Sequence, residues 1–81
     1  MTEKTSLAFL LIDCENNAIN NIIDELNQID TVKEYEKLDN PWKIIIKLEA
    51  DTLDKIREAI AWKIRKMSGI KATLTLVEYM R

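Results

Sequence analysis

The chain has 81 residues, a net charge of −2, no histidine, and one each of cysteine, glycine and proline. One small domain is expected, with a thin core, because a chain this short buries only about 60% of its unfolded surface. A lone cysteine excludes an internal disulfide and a cysteine-built metal cluster, and the missing histidines remove the commonest general base and metal ligand. The charge gives no general attraction to nucleic acid or anionic membranes.

Leu7 to Ile12 is a continuous apolar run closed by Asp13. It is too short for a buried helix or a membrane span and fits a strand buried on both faces. No cleavage site follows, so no signal peptide is expected, and the reading is cytoplasmic. Glu15, Asn16 and Asn17 carry helix-cap chemistry. Ala18, Ile19, Ile22, Ile23, Leu26 and Ile29 then recur at helical spacing, with amides and acids between them.

Thr31 to Leu38 predicts a more polar strand with Val32 and Tyr35 inward. Asp39-Asn40-Pro41 is the strongest turn signal and joins it to Trp42–Glu49. There Trp42, Ile44, Ile46 and Leu48 alternate with Lys43, Ile45, Lys47 and Glu49, so the two strands form a hairpin. Asp51 or Thr52 caps a second helix with Leu53, Ile56, Ile60, Ile64 and Met67 inward. Ser68-Gly69 ends it, and Ile70 to Met80 is a last strand. Its two apolar sides are expected to be Leu74 with Leu76, and Val77 with Tyr79.

Strand-helix-strand thus occurs twice. The expected fold is α+β, ferredoxin-like βαββαβ, a four-stranded antiparallel sheet with both helices on one face. Residues 1–5 are a tail and 6–81 one domain. The first and last strands, apolar on both sides, are expected inside the sheet. The uncovered face would then show Leu7, Phe9, Leu11, Ile45, Val77 and Tyr79, or the residues of opposite parity, a larger apolar patch than soluble monomers expose. Burying roughly 500 Å² of it per partner is worth roughly 12 kcal/mol before association costs, so a twofold homodimer through the sheet is expected.

Residues 64–77, Ile-Arg-Lys-Met-Ser-Gly-Ile-Lys-Ala-Thr-Leu-Thr-Leu-Val, carry a resemblance. So does Val32-Lys33-Glu34-Tyr35, which resembles the lead into a hairpin. Together they make the chain similar to the ligand-binding and oligomerisation (RAM) domain of Lrp/AsnC transcription regulators, in particular the stand-alone forms. The resemblance runs from Ser6 to Met80. It implies a module that senses an amino-acid-like small molecule, assembles as a homodimer or a ring of dimers, and serves a full-length regulator. Only residues 1–5 stand where such regulators carry their DNA-binding part, so no direct nucleic-acid binding is expected.

The resemblance also implies ligand-binding residues: Asn40, Trp42 and Lys43 of the hairpin, with Thr73 and Thr75 of the last strand of a neighbouring copy. The family hairpin reads Gly-x-Tyr-Asp. Here Asn40 replaces the glycine, Trp42 keeps the aromatic, and Lys43 reverses the charge of the acid, which favours a more anionic ligand.

Other chemistry has plainer readings. Cys14 without a basic neighbour in sequence packs as a small apolar group. Glu15, Asp24, Asp51 and Asp54 match no calcium-loop spacing and are caps or solvated groups. Lys55, Arg57, Lys63, Arg65, Lys66 and Lys71 are interspersed with acids, as on a solvated helix. Trp62, beside them, rests at the core edge or a subunit contact. With no glycine-rich phosphate loop or nucleophile motif, neither an enzyme nor a cofactor is expected. The competing function is a peptide-binding chaperone of the same fold that adds a strand to a sheet edge.

Overall fold

The structure, a computed structural model, describes residues 5–39 and 41–80, the last four by their backbone only. The elements follow the expected order. Strand β1 (Ser6–Cys14) leads through a tight helical turn (Asn16–Ala18) into helix α1 (Ile19–Leu26). Strands β2 (Val32–Lys37) and β3 (Ile44–Ala50) form the hairpin. Helix α2 (Leu53–Ala59) continues into a widened turn (Ile60–Ile64), and strand β4 (Ile70–Met80) closes the chain. The sheet is antiparallel, with order β2-β3-β1-β4. This is the ferredoxin-like arrangement.

The core lies between sheet and helices. Ala8, Leu10, Ile12 and Cys14 of β1 and Ile44, Ile46 and Leu48 of β3 are buried against Ile22, Leu26, Ile56, Ile60 and Ile64. Strand period two and helical period 3.6 therefore converge on one apolar layer. Thr52 caps α2 by accepting the Lys55 N–H at 3.2 Å. Glu15 leads into its turn in extended conformation, but its side chain makes no cap bond. After α2, the Arg65 N–H donates to the Ile60 carbonyl at 2.9 Å, a five-residue closure that keeps both Ile60 and Ile64 buried.

Gly69 makes the turn into β4. Its φ of 94° suits glycine, and a Cβ there would lie 2.5 Å from the Ala18 Cβ. The end of the second helical segment can approach the start of α1 only because that position lacks a side chain.

Three expectations change. The last strand is an edge strand, not an interior one: β1 and β3 are central, and β4 pairs with β1 alone. Periodicity reports apolar faces but says nothing of pairing order. Within β4 the register steps from Phe9↔Val77 to Leu10↔Thr75, leaving Leu76 as an extra residue. Leu74 thereby pairs with Leu11, while Val77 and Tyr79 take Phe9 and Leu7, so the expected division of these four residues does not hold. In β2 the register passes from Val32↔Leu48 to Glu34↔Lys47, a bulge at Lys33 that lets Val32 and Tyr35 both pair with inward residues of β3. Tyr35 nevertheless stays 44% exposed, because β2 is the other edge.

The sheet face away from the helices carries Phe9, Leu11 and Ile45, all half-buried, with Leu74 exposed and Leu7 already buried. Glu34 and Lys47 pair at 3.5 Å at its β2 side. The side chains of Val77 and Tyr79 lie outside the described residues.

Candidate functional site

The hairpin is closed by its own backbone. The Leu38 N–H donates to the Lys43 carbonyl at 2.8 Å, and the Lys43 N–H donates to the Ile12 carbonyl at 2.9 Å. These two bonds hold Lys43 at the end of β1. Lys71, at the start of β4, comes to the same corner because Asp13 pairs with Ala72 and Cys14 with Ile70. A cleft of about 400 Å³ results. Asp13, Glu15, Asn16, Pro41, Lys43 and Lys71 line it, with the buried Cys14 at its base.

Two carboxylates and two ammonium groups thus share one corner. Lys71 reaches Glu15 at 3.6 Å, and both side chains are more than half exposed. Cys14 is buried beneath them. Burial pushes its thiol above the ordinary value of 9.0; Asp13 and Glu15 add to that, while Lys43 and Lys71 oppose it. The thiol is therefore protonated and unreactive near neutral pH, as a packing role requires.

The candidate ligand residues are only partly brought together. Lys43 lines the cleft, and Trp42 beside it is half-buried. Asn40 lies outside the described residues. Thr73 and Thr75 pair with Ile12 and Leu10, so both stand in the rows that face the helices, Thr73 half-buried and Thr75 exposed. Strand β1 separates them from Lys43, since Ile12 pairs with Ile44 on one side and Thr73 on the other. Two strand spacings, about 10 Å, therefore lie between the hairpin and the Thr-x-Thr strand within one copy. Sequence reasoning passed over Asp13, Glu15 and Lys71 as site residues.

Part of the basic stretch forms local pairs. Lys55 bonds Asp51 at 3.2 Å, Arg57 lies 3.7 Å from Asp54, and the Lys66 Nζ sits 4.5 Å from the centre of the Trp62 ring. Trp62 is 67% exposed, outside the core edge. Among the described residues no cluster of three or more metal-ligating side chains occurs, and no helix is long and apolar enough to cross a membrane.

The crystal structure of FFRP-DM1 is similar at 31% identity and a TM-score of 0.82, over 88% of this chain and 95% of that one. The hypothetical protein PHS023 from Pyrococcus horikoshii is 29% identical with a TM-score of 0.81, over 94% and 88%. AsnC of E. coli shares the fold at 22% identity and a TM-score of 0.80, but this chain spans only 48% of its length. No curated protein sequence matches. The family profile described as Lrp/AsnC ligand binding domain matches residues 7–79, nearly the whole chain, and the chain belongs to that family.

Proposed function

We propose that this domain senses a small, amino-acid-like effector, without catalysis, and passes the signal on through its own assembly and a regulator partner. The observation that carries the reading is the charged cleft at Lys43. It lies where three segments converge, and it includes Lys43 of the hairpin, which supports a ligand-binding reading. The row Phe9, Leu11, Ile45 and Leu74 supports the second half of the proposal. Two copies closing these faces would remove an apolar strip that the helices do not cover. The separation of Lys43 from Thr73 and Thr75 fits a ligand pocket completed by a neighbouring copy.

The test uses Trp62→Phe, which leaves Trp42 as the reporter beside Lys43. Amino acids and small anions are screened by Trp42 fluorescence and thermal shift. An effector at a hundredfold excess over its Kd stabilises the domain by about 2.7 kcal/mol. That corresponds to a melting shift of about 10–20 °C for a domain of this size.

A second reading has its own observation. β4 is an edge strand with Leu74 and Leu76 about half exposed, so its backbone is open to an added extended peptide. Capture of such a peptide, with no effector found in the screen, favours a chaperone-like module over the sensor.

A further inference from the structure

We infer that the helix layer carries a self-docking surface: a basic ridge at Trp62 and Lys66 that seats in an acidic groove along α1 of a second copy. This goes beyond the sensing reading and uses the side of the molecule opposite the apolar strip at Phe9, Leu11 and Ile45.

The chain segregates its charge. Residues 13–30 hold five acids and no lysine or arginine, while residues 59–77 hold four lysines and arginines and no acid. The basic segment supplies the ridge. Its widened turn keeps Ile60 and Ile64 in the core and leaves Ala61, Trp62 and Lys63 outside. Trp62 is the most exposed large apolar side chain among the described residues. The Lys66 ammonium lies over its ring, 4.5 Å from the centre. Lys63, Arg65 and Lys66 are all exposed, and none pairs with an acid among the described residues. An exposed indole among unpaired cations has the composition of an interface anchor.

The acidic segment supplies the groove. A cleft of about 440 Å³ opens on α1, lined by Asn17, Asn21, Asp24, Glu25 and Ser68. Neither Asp24 nor Glu25 pairs with a cation among the described residues. Lys37 reaches α1 at Asn20, 3.4 Å away and outside this lining. The two carboxylates suit the ammonium groups of a ridge, and the amide oxygens suit an indole N–H.

Ridge and groove are neighbours on one layer. Gly69 sets the end of the second helical segment against Ala18, and Ser68, two residues after Lys66, lines the groove. Both are fixed to the core, the ridge by Ile60 and Ile64 and the groove by Ile22 and Leu26. A ridge therefore fills only another copy's groove. A twofold axis between two copies seats both ridges at once, and the contact closes as a pair. It adds to a sheet-face dimer rather than replacing it.

The experiment is sedimentation equilibrium of the full chain at submillimolar concentration and low salt, in wild type and in Leu11→Glu, which removes the sheet-face contact. Leu11→Glu, monomeric at micromolar concentration, is expected to dimerise here, and added salt weakens that dimer. Residues 17–25 and 61–68 show the amide shifts on dilution, and β3 does not. Trp62→Ala lowers the association constant by about thirtyfold or more. Lys63→Glu/Lys66→Glu and Asp24→Lys/Glu25→Lys each lose self-association, because like charges then meet. An equimolar mixture of the two restores it, since every ridge again meets a groove of opposite charge. The same mixture made without Leu11→Glu reads the contact even where that variant does not fold, as recovery of the step beyond the sheet-face dimer. The inference is overturned if the mixture associates no better than its parts, or if Trp62→Ala associates as wild type does. Absence of any salt-sensitive association in wild type and Leu11→Glu also overturns it and leaves the ridge to a different acidic partner.

Discussion

Replacing Gly69 by alanine perturbs the junction on which the candidate site is built. Two costs add. A non-glycine residue at φ 94° carries a backbone penalty of about 1–2 kcal/mol. The new Cβ would stand 2.5 Å from the Ala18 Cβ, where ordinary contact begins at 3.4 Å. Neither atom can rotate away, so the backbones must part, an overpacking cost of about 1–3 kcal/mol. The total of about 2–5 kcal/mol is a large share of the roughly 4–12 kcal/mol expected for a domain this size. Urea unfolding followed by circular dichroism measures it, at fixed protein concentration because the stability of any oligomer depends on concentration. The melting temperature should fall by at least about 10 °C. The double variant Ala18→Gly/Gly69→Ala should recover the steric part and retain the backbone part, a coupling of about 1–3 kcal/mol. A Gly69→Ala loss below about 0.5 kcal/mol, or a double variant with no recovery, would refute the close approach of these two segments.

Three further outcomes are expected. Wild type is expected to sediment as a dimer or larger species at micromolar concentration and Leu11→Glu, on the open sheet face, as a folded monomer; equal sedimentation of the two would place any contact elsewhere. Thr52→Ala should cost about 1 kcal/mol by freeing the Lys55 N–H, read from urea unfolding. Cys14 should resist iodoacetamide until the protein unfolds. Its folded-state pKa is raised, so its contribution to stability is fully present below the ordinary thiol value of 9.0 and is lost as pH rises through the folded value. Melting temperatures above that pH should therefore fall more steeply for wild type than for Cys14→Ala.

Much of the fold was legible because its signals are local. Ile22, Leu26, Ile56, Ile60 and Ile64 mark the helix stripes by spacing alone, and all are buried. The single glycine marked the turn into β4 for the right physical reason. What periodicity could not carry was pairing. The edge position of β4 and the extra residue at Leu76 are properties of two strands together, and they decide which residues share a row. Tyr35 has the inward register expected of it but stays exposed, because nothing flanks β2.

Of the residues lining the candidate cleft, one stood out in the sequence as a candidate ligand residue. Lys43 stood out as a charge reversal within the resemblance, and it lines the cleft. Glu15 passed for a cap and Lys71 for part of a solvated basic stretch, since each is ordinary in its own segment. Only the β1–β4 pairing brings them to 3.6 Å.

The central claim, that an effector is sensed by a domain that works as an assembly, is tested most directly by sedimentation velocity of the full chain at micromolar concentration, with and without the effector found in the screen. The account predicts a dimer or larger species whose distribution or stability shifts on effector binding. A monodisperse monomer that no amino acid or small organic acid alters would contradict it.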